Sequence, residues 1–321
     1  MSNSINKTIS VVIAAYNGAA YIKEQLDSIA AQTLQPTEII VQDDCSSDET
    51  VAIVQTYLSR LPITLSVNPE NVGYIRNFES ALAKAGGEYI VLCDQDDIWV
   101  PYKLERLMQA IGTKSLVYSN SYLIDSDGNP INKTLSDKLR NRFIEAATPL
   151  SFVYDNCVSA HAMIFHRSLM PLLFPFPRHL YFDAWIAACA ASSGGIAYID
   201  EALVGYRQHA CNTLNRHCKH QRSILKDIIR KHAKKIDGNM ANAAMIDELL
   251  RIPTLSQDDR TVLERLRDHH ASFPSRWFNL PLMLLLLRNR STLFAMTKRN
   301  PLALSLKKSI GLKLYRALPF L

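Results

Sequence analysis

Residues 88–97 read EYIVLCDQDD. An apolar run, Tyr89 to Cys93, leads straight into Asp94, Gln95, Asp96 and Asp97. A short continuous apolar run fits a strand buried on both faces. Three carboxylates on one turn repel one another. A chain tolerates this where the turn faces water, caps a helix or holds a divalent cation. The plain reading is a cap for a helix beginning near Pro101. The chemical reading is a strand-end Asp-x-Asp. Mg²⁺ and Mn²⁺ take oxygen ligands, typically one or two carboxylates plus substrate phosphates.

Upstream, the pattern alternates. Thr8–Ala15, Glu38–Gln42, Ile63–Val67 and Glu88–Cys93 read as strands. Ala20–Ala31, Asp48–Leu58 and Tyr74–Ala85 read as helices with one apolar face, for example Ile75, Phe78, Ala81 and Leu82. Such alternation predicts βαβ units, an α/β fold with a mostly parallel central sheet flanked by helices. In such sheets ligands bind outside the carboxyl ends of the strands. That rule selects Tyr16-Asn17, Asp43-Asp44, Asn71 to Asn77 and Asp94 to Asp97.

Downstream, the alternation fades. Ser115–Ile124 predicts one or two strands, Asp125–Asn129 a turn, and 130–150 a loop over the site. Cys157–Phe165 predicts a strand and Tyr181–Ala191 a helix. Ile196–Ile199 and Leu203–Tyr206 predict two short strands. From about Arg216 the pattern is charged amphipathic helix, and from Pro274 a basic, leucine-rich tail. The expected division is a catalytic domain over 1–215 and a helical basic region over 216–321.

The chain has 321 residues, 48% apolar and 21% charged, an ordinary globular mix. Its six cysteines form no CxxC pair, and three lie in apolar stretches, which fits a reducing compartment. Met1 to Ser10 lacks an apolar signal region, so a cytoplasmic protein is expected. The net charge of +6 is uneven. From His269 to Leu321 there is no Asp or Glu, while Arg276, Arg288, Arg290, Lys298, Arg299, Lys307, Lys308, Lys313 and Arg316 all fall there. Such an excess points to an anionic surface. The tail carries leucines rather than interleaved aromatics, which argues against nucleic acid.

Other candidates have bland and chemical readings side by side. Asp43-Asp44 opens a turn in which Ser47 or Asp48 caps the next helix, or it offers a carboxylate to the N3–H of a uracil or thymine ring. Tyr16 ends a strand and could stack on a base. Asp183 opens an apolar helix, where the dipole favours it, or acts as a general base toward an acceptor hydroxyl. Arg207 and His209 alternate on an extended stretch and could both meet a diphosphate. Cys211, His217, Cys218 and His220 lie near His209, but their spacing fits no usual zinc pattern.

Taken in order, VVIAAYNGAAYIKEQLDSIAAQT, EIIVQDDCSSDET, NVGYIRNFESALAKAGGEYIVLCDQDDIW, NCVSAHAMIFHRSL and YFDAWIAACAASSGGIAYIDEALVGYRQH resemble the family 2 glycosyltransferases of the GT-A fold. The likeness covers roughly 8–210. It implies that Ala14, Ala15 and Tyr16 border the nucleotide base and that Asp43 or Asp44 binds its edge, with Asn77 also on the donor. It implies that Asp94 and Asp96 hold Mg²⁺ or Mn²⁺ at the diphosphate, Asp96 foremost, with Asp97 left to cap the turn. Asp183 matches the base of inverting members, and His209 a late motif near the diphosphate or metal. Two departures stand out. Trp185 is displaced by one from the usual His-Asp-Trp, and Ala160-His161 replaces an expected Gly, narrowing the acceptor pocket. The YRQH ending is similar to bacterial rhamnosyltransferase-type members that build O-antigen or capsule. The implied partners are a dTDP- or UDP-sugar donor and a lipid-linked glycan acceptor. A non-catalytic sugar-nucleotide-binding subunit is the alternative, and the intact carboxylates argue against it. Phe278–Leu287 is far short of the roughly 20 residues that span a bilayer. The basic tail therefore predicts peripheral attachment at the inner face of the plasma membrane, or leucines that pack on the domain.

Overall fold

The apolar runs of the first ninety residues become the strands they predict. The computed structural model describes residues 7–209, 240–272, 275–311 and 313. Strands β1 (Ile9–Ala15), β2 (Glu38–Asp43), β3 (Ile63–Val67) and β4 (Tyr89–Cys93) alternate with helices α1 (Ile22–Ala30), α2 (Thr50–Gln55) and α3 (Tyr74–Leu82). β1 and β4 are buried almost throughout, as continuous apolar runs require, whereas β3 is half exposed. β1 pairs in parallel with β2 on one side and β4 on the other, and β3 lies outside β2. The chain therefore reverses direction across the sheet between β1 and β4. Their carboxyl ends form the switch point where ligands bind in open α/β sheets.

The second half makes the sheet mixed. It contains β5 (Ile98–Trp99), α4 (Lys103–Ile111), β6 (Leu116–Ile124), β7 (Pro130–Thr134), α5 (Leu135–Leu139), β8 (Met163–His166), α6 (Met170–Leu173), α7 (Phe182–Ser193) and β9 (Ile196–Arg207). The strand order is β3-β2-β1-β4-β8-β6-β9-β5, with β7 on β6. β8 runs antiparallel to β4 and β6, β5 antiparallel to β9, and β6 parallel to β9.

Three local expectations change. Residues 130–150 are not simply a loop. The Asp125–Asn129 turn closes a hairpin, and Thr134 then caps α5 in a reciprocal box with Asp137. The strand predicted over Cys157–Phe165 is confined to Met163–His166, because residues 160–162 form a 3₁₀ turn. The two strands predicted over 196–206 are one. Ser119 pairs with Ile199 and Asn120 with Ala202, so residues 200–201 bulge out of a continuous β9. Glu201 in that bulge binds Arg106 Nε at 3.1 Å.

The sheet separates two apolar cores. Val11, Ile13, Ile39 and Val41 face α1 and α4, and Val12, Ile40, Ile90 and Leu92 face α3 and α7. The second core also takes in Leu249, Leu263, Leu266, Leu282, Leu286, Leu293 and Phe294. Residues 240–249 are helical. Helices follow at Gln257–Ala271, Leu280–Arg288 and Pro301–Ser309, with side-chain caps from Ser256, Asn279 and Asn300. The leucine-rich region thus packs on the catalytic fold through one face. Among the described residues, no helix is long and apolar enough to cross a membrane. The region 216–239, with His217, Cys218 and His220, and Cys211 before it, lies outside the described residues.

Candidate active site

The end of β1 is held from both sides. Gln95 Oε1 accepts from Tyr16 N–H at 2.8 Å, and Gln95 Nε2 donates to Tyr16 O at 3.0 Å. A Cβ at Gly18 would fall 2.3 Å from Gln95 Oε1, so this two-way amide contact requires glycine there. Asn17 adopts φ 46°, and its Oδ1 accepts from Ser47 N–H at 2.9 Å. The Tyr16 ring is 46% exposed, open to a planar ligand. Ala15 is fully buried and Ala14 partly so, which makes their backbone the floor beside that ring.

Behind this strand end lies a saturated polar network. Asp44 accepts from Val72 N–H, Gly73 N–H and Asn68 Nδ2 at 2.9, 2.9 and 2.8 Å. Asp43 accepts from Ser46 N–H at 2.8 Å and from its hydroxyl. Asn77 donates to Gln42 O at 2.9 Å and Ala15 O at 3.3 Å, and accepts from Asn68 at 2.9 Å. All three side chains are buried. Asn77 and Asp44 are thereby committed to the protein, and they fix the wall of the cleft from behind.

The acidic turn divides in two. Asp96 Oδ2 lies 2.6 Å from His209 Nε2, and that imidazole rests on the Tyr21 ring at 4.9 Å. Burial and the Asp94 charge raise the Asp96 pKa, against the pull of His209. Asp97 points inward and is fully buried. Its Oδ1 accepts from Arg207 N–H at 3.1 Å, and its Oδ2 makes no hydrogen bond. His161 Nδ1 stands 3.9 Å from that oxygen and 3.6 Å from Asp94 Oδ2, while Nε2 meets Ser121 Oγ at 2.9 Å. Burial pushes the Asp97 carboxyl up to about 8, with Asp96 and Asp94 adding to it and His161 opposing. Burial lowers the His161 imidazole, but Asp97 and Asp94 outweigh it and hold it above its ordinary value. Beneath both, Lys103 donates to His161 O at 2.7 Å and sits 3.4 Å over the Trp99 ring. Burial brings it down to about 7.

Ligand atoms of Asp94, Asp97 and His161 lie within 4.8 Å of one another, a possible Asp-Asp-His site for a cation. Its chemistry distinguishes it from the Asp96 side. Mg²⁺ and Mn²⁺ at a diphosphate keep open positions for phosphate and water. Asp97 and His161 are buried, and Asp94 is the exposed member of that set. The Asp96, Asp94 and His209 side chains retain 18%, 34% and 12% exposure, and oxygen with imidazole donors suits Mn²⁺. The residues on the outer side of the turn offer donors of that type, while the set whose ligand atoms converge among the described residues is Asp94, Asp97 and His161.

Arg207 and His209 both reach Asp96, by different routes. Arg207 is fully buried. Its Nε donates to Asp96 O at 2.8 Å, Nη1 to Ser126 O at 2.8 Å, and Nη2 to Glu24 at 2.6 Å. It braces the turn from inside and does not face a diphosphate. His161 lies under the acidic turn and not in an acceptor pocket. Lys103 and Gln95 carried no expectation, yet Lys103 shares the inward face of α4 with Leu107 and Ile111 at four-residue spacing. A lysine in that register is the signal that marks it.

Asp183 lies in the first turn of α7, partly exposed, and accepts from Ala184 N–H at 2.7 Å. Burial raises its carboxyl to about 6, and the Asp94 charge adds to that. Its neighbours are divided. Phe182 stacks inward on Phe78 and Phe176 at 4.9 and 5.9 Å, and Trp185 is buried, donating to Leu173 O at 3.1 Å. The displaced tryptophan is therefore a core anchor. Tyr181 and Tyr74 stay 67% and 45% exposed, and Tyr74 feels the charge of Asp183.

A cleft at the switch point of an α/β sheet with an acidic turn and a facing carboxylate invites comparison with known proteins. Residues 10–172, just over half of the sequence, match the model of Glycosyl transferase family 2. The chain belongs to that family. A glycosyltransferase of Nostoc sp. is 27% identical over 259 residues, 76% of each chain. Bacillus subtilis TuaG, named for teichuronic acid biosynthesis, is 31% identical over 153 residues, 44% of this chain and 60% of that one. Among solved structures, S. aureus TarS 1-349 in complex with UDP-GlcNAc superposes with TM-score 0.61 at 20% identity, covering 90% of this chain and 79% of that one. A Pyrobaculum calidifontis mannosyltransferase in complex with GDP-Man and Mn²⁺ gives 0.54 at 18% identity, over 98% and 87%. These likenesses establish the GT-A fold.

Proposed function

We propose that the chain is an inverting, metal-dependent glycosyltransferase that moves a sugar from a nucleotide diphosphate to a cell-surface glycan. The observation that carries this reading is the pairing, at one switch point, of the open Asp96–His209 edge with a poised carboxylate, Asp183. Tyr16 and the Ala14–Ala15 backbone would border the base, with Asp43 nearest its edge. Asp96, Asp94 and His209 would hold Mg²⁺ or Mn²⁺, which supplies charge neutralisation for a leaving diphosphate. Asp183 takes the proton of the attacking hydroxyl, and direct displacement needs only this one base. The exposed faces of Tyr74 and Tyr181 beside it suit a sugar ring, which favours a glycan acceptor. The named role of TuaG is in keeping with a polysaccharide.

The YRQH ending makes L-rhamnose from a dTDP donor the first sugar to test. A panel of dTDP-, UDP- and GDP-sugars with Mn²⁺ would be read by thermal stabilisation and donor hydrolysis. A nucleotide sugar that stabilises and is cleaved only with metal is the expected result. No response to any donor would sink the reading.

We further propose peripheral attachment to an anionic membrane, where a lipid-linked acceptor would be presented. Trp277, Leu280, Leu284, Leu302 and Leu306 are each about half exposed, with Arg288 and Lys307 at the ends of their helices. Interfacial binding scales with such apolar area plus basic charge. Because Leu282, Leu285 and Leu286 belong to the core, truncation is a poor test. Full-length Leu284→Ser/Leu306→Ser should lose sedimentation with phosphatidylglycerol vesicles while keeping donor binding. Unchanged sedimentation would refute attachment through this face.

A further inference from the structure

The inner face of the acidic turn carries a donor set of its own, apart from the Asp96–His209 edge. One ligand atom from each of Asp94, Asp97 and His161 lies within 4.8 Å of the other two. The atom that decides its reading is Asp97 Oδ2. The Asp97 side chain is fully buried, and among the described residues this oxygen has no hydrogen-bond partner. The other oxygen is taken by Arg207 N–H. A buried carboxylate oxygen left without a donor is costly. The cationic groups beside it do not meet that need. His161 Nδ1 stands 3.9 Å away, beyond hydrogen-bond distance. The Lys103 ammonium is spent on His161 O at 2.7 Å and on the Trp99 ring at 3.4 Å.

His161 is held as metal-ligating histidines are held. Its ring is buried and stacks on Tyr206, with centroids 4.7 Å apart and planes 7° from parallel. Its Nε2 meets Ser121 Oγ at 2.9 Å. A hydrogen bond at the far nitrogen of an imidazole fixes the ring and turns its other nitrogen to a metal. With Ser121 accepting, Nδ1 presents its lone pair to Asp97 Oδ2 and to Asp94 Oδ2, 3.6 Å away. Two carboxylate oxygens and one imidazole suit a small dication of the Zn²⁺ or Mn²⁺ class. Asp94, 34% exposed, is the way in.

We infer that Asp94, Asp97 and His161 form a second cation site, structural in role and separate from the metal proposed at Asp96 and His209. Asp94 and Asp97 follow β4, and His161 lies in the 3₁₀ turn that leads into β8. The cation ties these two segments together beneath the turn. Asp94 belongs to both sets and is therefore left unchanged in the test.

The test uses the full chain, stripped with chelator and free of nucleotide, so that a metal at the outer edge has no phosphates to share. Zn²⁺ or Mn²⁺ alone should bind once per chain in calorimetry and raise the melting temperature. Asp97→Asn keeps the acceptor for Arg207 N–H, and His161→Phe keeps a flat ring on Tyr206. Each should weaken this binding by about 100-fold, since loss of a ligand's supporting partner alone costs about 10–100-fold. Asp96→Ala should leave it unchanged. Melting curves in chelator establish that each variant is folded. Binding of neither cation, or binding that survives both Asp97→Asn and His161→Phe, would overturn the site and leave His161 as a counter-charge to the carboxylates. A cation lost in those two variants, with Asp96→Ala retaining both it and metal-dependent donor binding, would uphold this site and sink the outer-edge reading instead.

Discussion

The two sides of the cleft, proposed for donor and for acceptor, are built on opposite terms. At the ends of β1 and β2, the buried Asp44 and Asn77 spend their hydrogen-bonding capacity on the protein itself, while among the described residues the Asp43 carboxylate accepts only from Ser46. Asp183 on α7 accepts from its neighbour Ala184 N–H and is raised to about 6 by burial. Asp44 and Asn77 are finished as structure. The other side keeps a carboxylate poised near neutrality, as general bases require. Stability and reactivity thus reside in different carboxylates of the same type.

That contrast can be broken by experiment. The largest effect belongs to Asp183→Asn. Transfer should fall about 10²–10⁴-fold, the range of a general base, with donor affinity retained. The variant should unfold no earlier than wild type. A carboxylate whose folded pKa lies above its unfolded value is destabilised in its charged form, so near pH 7 its removal loses no stability. By the same reasoning, kcat should rise about tenfold per unit below pH 6 and level off above it, because Asp183 must be ionised to accept a proton. A flat profile through pH 5–7 in a chemistry-limited assay would remove Asp183 from the role.

Next comes Asp96→Ala, which should abolish the Mn²⁺ dependence of donor binding in calorimetry. Asp97→Asn should leave that dependence in place if the sealed side of the turn is structural. On the donor side, Asp44→Ala leaves the Val72 and Gly73 N–H groups without their acceptor. It should cost about 2–3 kcal/mol in denaturant unfolding. Were Asp183→Asn equally destabilising, the division of labour would not hold. Smallest is Tyr181→Ala, where loss of a stacking face should raise acceptor KM about fivefold with kcat nearly unchanged.

The parallel half was legible because its strands are buried on both faces. TISVVIAA and EYIVLC carry that fact in composition alone. The second half depends on pairings distant in sequence. Nothing local announces that β8 inserts between β4 and β6, or that β9 absorbs a bulge at residues 200–201. The Thr134–Asp137 box, by contrast, is present in the sequence as a capping signal. Within the site, the positions of Asp96 and Asp183 followed from strand-end and helix-start rules. The opposite facing of Asp96 and Asp97 did not, because neighbours on a turn obey no period. Arg207 and His209 show the same limit. Alternation places two residues on one face only while the strand continues, and β9 ends at Arg207.

The amide of Gln95 joins the acidic turn to the end of β1 by one donated and one accepted hydrogen bond. In the proposed reading, the place for a base and the place for a metal would then share one spacing. Such a cleft would work as a gauge of length. A nucleoside diphosphate would touch both marks at once, whereas a monophosphate would reach one and leave the other idle. Shortening the gauge with Gln95→Asn would uncouple the two marks without altering either.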